Sequence, residues 1–240
     1  QLVTTLNALR IAKQKSIRYI HVIHSAPAND LLYAFKNVWK NSIFFKKIEM
    51  VNWYTGLEVI LSGDTAETIL LLDGNATGLS ETLVDELSGW VAQHPDIAWA
   101  SALALNLDGT TVFEAGRVVS EDYQSAPMFC DTPLFSFGGF GGPLWYRNSR
   151  ACSPYAVAMR SSDARSALLK LPTLDGTRDN FVSFCLELSA NGGRGLINPF
   201  ARVHFSKPPE KSWPNDGIPY HVDPYFNPAF DQVSPLRLKS

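Results

Sequence analysis

Three short stretches of this 240-residue chain carry side chains whose placement can do chemistry. Asp73-Gly74-Asn75 follows directly on an uninterrupted apolar run, Thr68-Ile69-Leu70-Leu71-Leu72. A carboxylate just past a buried strand has a fixed backbone and a solvated tip, as a metal or diphosphate site needs. The amide two residues on adds an oxygen donor of the kind hard cations take. The same residues are also an ordinary Asp-Gly-Asn turn. His204 closes Ala201-Arg202-Val203-His204 at a strand end, where a lone histidine is either a satisfied structural residue or a ligand. Asp175-Gly176-Thr177-Arg178-Asp179-Asn180 sets two carboxylates and an arginine ahead of a helical pattern. Such carboxylates cap a helix or, presented into a cleft, act as a general base.

Other motifs are less specific. Residues 136–144 (S-F-G-G-F-G-G-P-L) are glycine-rich, yet no Lys-Ser/Thr follows, so this is no phosphate-binding P-loop. Both a mobile lid and a packed loop stay open for it. His21 and His24, around Val22 on a strand, are read as facing one side and stand at no metal-ligand spacing. Cys130, Cys152 and Cys185 are widely spaced, with no C-x-x-C; they are expected to be buried thiols in a reducing compartment.

The elements that must position these residues follow from periodicity. Leu2, Val3, Leu6 and Leu9 have helical spacing, residues 17–23 read as a strand, and residues 30–39 as a helix. Residues 48–51 are expected to form a short strand and 68–72 a strand of the kind buried on both faces of a parallel sheet. An amphipathic helix over 80–94 leads into a second buried strand at 97–105 and an Asp108-Gly109 turn. A strand at 155–159, helices at 161–169 and 179–190, and short strands at 195–197 and 202–205 complete the pattern. From residue 207 the tail is rich in proline and aromatic residues and is expected to wrap the surface. Strands alternating with helices imply βαβ units, hence an α/β class with a mostly parallel sheet flanked by helices.

Bulk composition narrows the function. The chain is 45% hydrophobic, 12% aromatic and 18% charged, with 21 Lys+Arg against 23 Asp+Glu and a net charge of −2. No basic excess exists to support a nucleic-acid binder. No apolar run approaches the roughly 18 residues that a membrane-spanning helix requires. The length suffices for one large domain, and one continuous α/β domain over 1–240 is the expectation.

Taken in order, these pieces resemble the family 2 glycosyltransferases of the GT-A (Rossmann-like) fold, in particular the branch that builds rhamnose-containing and O-antigen polysaccharides. Thr68 to Thr77 (T-I-L-L-L-D-G-N-A-T) is similar to that family's strand leading into its Asp-x-Asp element. Leu107-Asp108-Gly109-Thr110 and Glu114-Ala115-Gly116 resemble its "D-G-T" turn and "H-A-G" segment. Phe184-Cys185-Leu186-Glu187-Leu188 with Gly192-Gly193-Arg194 resembles its "D-F-C-L-R-L … A-G-Y-R" helix. Asp223-Pro224-Tyr225-Phe226-Asn227-Pro228 is close to its "D-P-Y-Y-N-P" tail.

The resemblance implies inverting transfer of a sugar from a nucleotide-sugar donor to a saccharide acceptor. Residues 1–118 would form the donor-binding half and 119–206 the acceptor and catalytic half, with 207–240 as the tail. Asp73 and Asn75 would bind the donor, Asp73 and His204 would hold a divalent cation (Mn or Mg), and Asp179 would take the acceptor's proton. A cytoplasmic location is implied, the inner face of the membrane included. The chain departs from the pattern in several places. The family's opening strand and "P-x-Y-N" loop have no counterpart, so the sequence is expected to be part of a longer multidomain protein. Its second strand ends in Ile23-His24-Ser25-Ala26 rather than an Asp, Asn75 stands for the second acid of Asp-x-Asp, and Ser183 and Glu187 replace an acidic and a basic residue. The alternative is a non-catalytic module of the same fold that binds glycan or a partner protein.

Overall fold

The computed structural model of the chain describes residues 5–7, 9, 17, 19–24, 43–47, 52–63, 66–137, 141–171, 178–205 and 222–226. Thr5, Leu6, Asn7 and Leu9 are helical. Next come β1 (Ile20–His24), β2 (Ile43–Lys47), α1 (Trp53–Leu61), β3 (Thr68–Leu72) and β4 (Ala76–Leu79). They are followed by α2 (Leu83–Gln93), β5 (Ile97–Leu105), β6 (Val112–Glu114), β7 (Arg117–Val119) and β8 (Ser125–Pro127). The last elements are β9 (Arg147–Ser149), β10 (Ala156–Arg160), α3 (Ser161–Lys170), α4 (Arg178–Ser189) and β11 (Arg194–Phe205). The helix expected at 30–39 and the strand expected at 48–51 lie outside the described residues. Among the described residues, no helix is long and apolar enough to cross a membrane.

The main sheet runs β3-β10-β5-β11-β4, with β6 on β5 and β9 on β11. β11 is parallel to β5, and β10 is antiparallel to both β3 and β5, so β3, β5 and β11 all point one way. These three strands are the directional frame of the α/β class read from the sequence; β10, β4, β6 and β9 run against them. β1 and β2 form a separate parallel pair. On it, His24 shares the buried side of Val22 while His21 is exposed and stacks on Phe44. The two histidines therefore face opposite sides, correcting the expectation that they share one: a separation of three residues is odd, and strand faces alternate with period two.

All nine residues of β5 are buried, because helices cover both its faces. On one side Leu83, Leu87 and Val91 of α2 pack on the alanines of β5. On the other, α1, α3 and α4 bring Leu57, Ala164, Phe181 and Phe184 against Trp99 and Leu103. α1 begins at a complete capping box, in which Asn52 Oδ1 accepts from the backbone of Thr55 and Thr55 Oγ1 accepts from that of Asn52. The two short strands expected near the end are one strand, β11, interrupted by a bulge between Asn198 and Arg202.

Candidate functional site

Asp73 is the first residue beyond β3, and its backbone N–H still donates to Tyr155 O, so the sheet fixes its position. Its Oδ1 accepts from the backbone N–H of Asn75 at 2.8 Å and from Asn75 Nδ2 at 2.9 Å. Asp73 O accepts from Ala76 N, and β4 starts there. The turn reading and the site reading thus coexist: the turn consumes Oδ1 and aims the carboxylate, while Oδ2 accepts no hydrogen bond among the described residues. Thr5, from the N-terminal helical residues, donates Oγ1 to the carbonyls of Gly74 and Ala76 and locks the turn from outside. Nothing in the local sequence marks Thr5, because its partners lie 69 and 71 residues away.

His204, the penultimate residue of β11, pairs with Gly78 of β4, and Thr77 Oγ1 donates to its carbonyl. The imidazole occupies a slot between two glycines. A Cβ on Gly78 would lie 3.1 Å from His204 Cβ, and one on Gly109 2.8 Å from His204 Cε1. Thr77, Ser80, Leu107 and Arg202 line the open depression around the ring. Neither ring nitrogen makes a hydrogen bond among the described residues. Burial, helped by the Arg202 guanidinium, holds the histidine below its usual value, against a smaller opposing pull from Asp108. His204 is therefore neutral at neutral pH, the form in which imidazole donates a lone pair. With its folded value depressed, its contribution to stability is present above the unfolded value and lost as pH falls through the folded one.

Gly109 also sits at φ +68°, where L side chains are strained. Gly109→Ala is expected to push the imidazole out of its slot. In an NMR titration, His204 should then protonate closer to the usual histidine value; an unchanged titration would show that the slot does not set its acidity. Asp108, in the same turn, is spent locally: its carboxylate accepts from Thr110 N and Oγ1, which holds it below the usual carboxylate range.

Asp179 is the second residue of α4. Its side chain lies outside the described residues. The position of the helix start follows from topology: α4 packs on β5 and β11 and, through a short turn, leads into β11, so it runs back along that strand. Near this start, Phe181 meets Trp53, the first residue of α1, at a ring separation of 4.8 Å. Asp73, His204 and the first turn of α4 thus share the carboxyl edge of β3, β5 and β11, where ligands bind in open α/β sheets. Asp73 and Asn75 touch, and β4 connects them to His204. Among the described residues, no cluster of three His, Cys, Asp or Glu is placed to hold a metal ion.

Two motifs prove architectural. Glu114 forms a buried ion pair with Arg117 at 2.8 Å, both side chains being under 5% exposed. Ser153 N and Oγ donate to the same carboxylate, and Ser125 Oγ and O accept from Arg117. Asp223 of the tail hexapeptide is 2% exposed and accepts from Val119 N at 2.8 Å and Tyr225 N at 2.9 Å, tying the tail to β7. In the glycine-rich loop, the Trp145 ring covers Gly141, and Arg147 donates to Gly142 O while stacking 4.0 Å over Phe129. Gly142 and Pro143 are packed, whereas Phe137 stands 76% exposed, so the described residues do not choose between the two readings of the loop. The cysteines are buried as expected, with Cys152 and Cys185 sulfurs 3.9 Å apart.

No family model and no curated protein matches the chain. Among solved structures, a crystal structure of GalNAc-T7 with UDP, GalNAc and Mn2+ superposes with a TM-score of 0.62 at 14% identity, over 88% of this chain and 42% of that one. The fold is GT-A-like. At this identity the likeness is one of fold, and the chain spans less than half the length of that structure. A 4-diphosphocytidyl-2C-methyl-D-erythritol synthase from Anaerococcus prevotii (TM-score 0.47, 13% identity, 88% of this chain and 79% of that) lies further off. So does a CMP:2-keto-3-deoxy-manno-octonic acid synthetase complexed with CTP (0.46, 13%, 84% and 79%). In this GT-A-like frame, Asp73, the His204 slot and the start of α4 stand at the carboxyl edge of the sheet.

Proposed function

We propose that the chain is an inverting glycosyltransferase that moves a sugar from a nucleotide-sugar donor to a saccharide acceptor in polysaccharide or O-antigen-type synthesis. The observation that carries this reading is the placement at one edge of a GT-A-like sheet of an aimed carboxylate, Asp73, and of a His204 imidazole that makes no hydrogen bond among the described residues.

The donor set fits a divalent cation held together with its substrate. One carboxylate and one neutral imidazole do not close a protein cage, but Mg2+ is commonly held by one or two carboxylates plus substrate phosphates. Asp73 and His204 are the residues that would hold it. What such a cation supplies when bound is neutralisation of charge on the diphosphate leaving group, of order several kcal/mol. The chain's own residues do the rest. Asn75 keeps the Asp73 carboxylate in place, and the Gly78 and Gly109 backbones keep the His204 ring in place. Asp179, at the start of α4, takes the proton of the attacking acceptor hydroxyl, a contribution of roughly 10²–10⁴ in rate.

Calorimetry of a nucleoside-diphosphate-sugar series with Mn2+ tests the reading. Asp73→Ala is expected to abolish donor affinity, and Asp179→Asn to lower kcat while leaving donor KM unchanged. An unaltered donor affinity in Asp73→Ala would overturn the assignment. A folded wild-type chain without nucleotide affinity would instead be the non-catalytic module.

A further inference from the structure

A row of rings lies away from the Asp73 edge. His94 stacks on Trp90 of α2 at a centroid distance of 4.6 Å, Trp90 meets Tyr146 at 5.2 Å, and Tyr146 meets Phe200 at 5.4 Å. Tyr146 is 43% exposed and Phe200 52%. Phe200 stands outward because of the bulge in β11, and that bulge is rigidly built. Asn198, fully buried, accepts from Phe200 N at 2.9 Å through Oδ1 and donates Nδ2 to Glu86 of α2 at 2.9 Å. Arg202 Nε closes the other side on Pro199 O at 2.8 Å. Bulges re-aim a side chain at the expense of ladder pairing, and this one aims the Phe200 ring into water against Tyr146, at the end of a succession of four touching rings.

We propose that this aromatic strip binds a neutral glycan chain. Flat aromatic faces pack against the C–H faces of sugar rings. Groups suited to hydroxyls adjoin the strip: the half-buried Glu86 carboxylate lies by Tyr146, and the exposed Asp96–Arg194 pair lies by His94. Charge selects among flat ligands. Nucleic-acid bases also stack on such rings, but those grooves carry a basic excess, whereas here Arg194 and Arg202 are matched by Asp96 and Glu86 and the chain carries a net charge of −2. The lack of a basic excess disfavours an anionic lipid surface as well. Four part-exposed rings, at ~150–250 Å² for a whole side chain, also fall short of the ~800 Å² per partner of a stable protein interface. The proposal does not depend on the function assigned to the Asp73 edge.

Titration of the full chain with cellohexaose, maltohexaose and mannohexaose, followed by tryptophan fluorescence and calorimetry, tests it. At least one is expected to bind saturably and independently of salt. Tyr146→Ala/Phe200→Ala, which removes two exposed rings, should weaken binding roughly tenfold or more, while Asp73→Ala leaves it unchanged. Absence of saturable binding to all three, or equal binding by the double variant, overturns the proposal. Self-association in sedimentation that the double variant abolishes would overturn it too, assigning the strip to a second copy of the chain.

Discussion

Gly195→Ala is expected to destabilise the protein strongly for a single added methyl group. Gly195 lies in β11 beside the fully buried Trp99 of β5, and a Cβ there would fall inside the indole ring system. Neither side can give way: the backbone is held in the parallel ladder with β5, and Trp99 is packed between α1, α3 and α4. Overpacking ordinarily costs ~1–3 kcal/mol, and this site, where the added methyl meets a fully buried ring, belongs at or above the upper end. Urea unfolding should show a large drop in midpoint. Trp99→Leu should be destabilising alone but should relieve the Gly195→Ala penalty, giving a strongly favourable coupling in the double-mutant cycle. Simple addition of the two penalties would refute the steric account.

Arg117→Met carries the second large effect. Removing one member of a buried ion pair strands the other, at ~3–5 kcal/mol, and here the stranded group is Glu114, 3% exposed. Its two contacts with Ser153 compensate only in part. Arg117→Met/Glu114→Gln removes both charges and should recover much of the loss. If the double variant is as unstable as the single one, the network of serines rather than the charge pair holds this region, as chemical denaturation would reveal.

Much of the frame was legible because its signals are local. β5 and β3 are predominantly apolar runs bounded by turns, and α2, α3 and α4 lie within a few residues of their expected limits. β3, however, expected to be buried on both faces of a parallel sheet, is half-buried and pairs antiparallel with β10 at the end of the sheet order. Strand order was not legible. The antiparallel insertion of β10 between β3 and β5 follows no periodicity, and Pro199 reads as a break although β11 continues through its bulge. For the candidate site, Asp73 and His204 could be picked out because each stands at the end of a largely apolar strand. Thr5, Gly78 and Gly109, which orient them, could not, because their roles exist only across long sequence separations. Glu114 entered only as part of a motif resemblance with no role attached, and its burial with Arg117 shows it to be a structural ion-pair partner.

The position of β11 sets the order in which the chain can mature on a ribosome. It is the last strand of the main sheet to be synthesised, yet it sits between β5 and β4, both made long before. Until residues 194–205 emerge, the whole length of β5, every residue of it destined for the interior, has an open edge along which another nascent chain can pair. Such late, non-local closure makes folding slow and leaves aggregation-prone surface exposed meanwhile. Yield from rapid overexpression should therefore depend on translation rate and chaperone supply more steeply than the stability of the finished fold would imply.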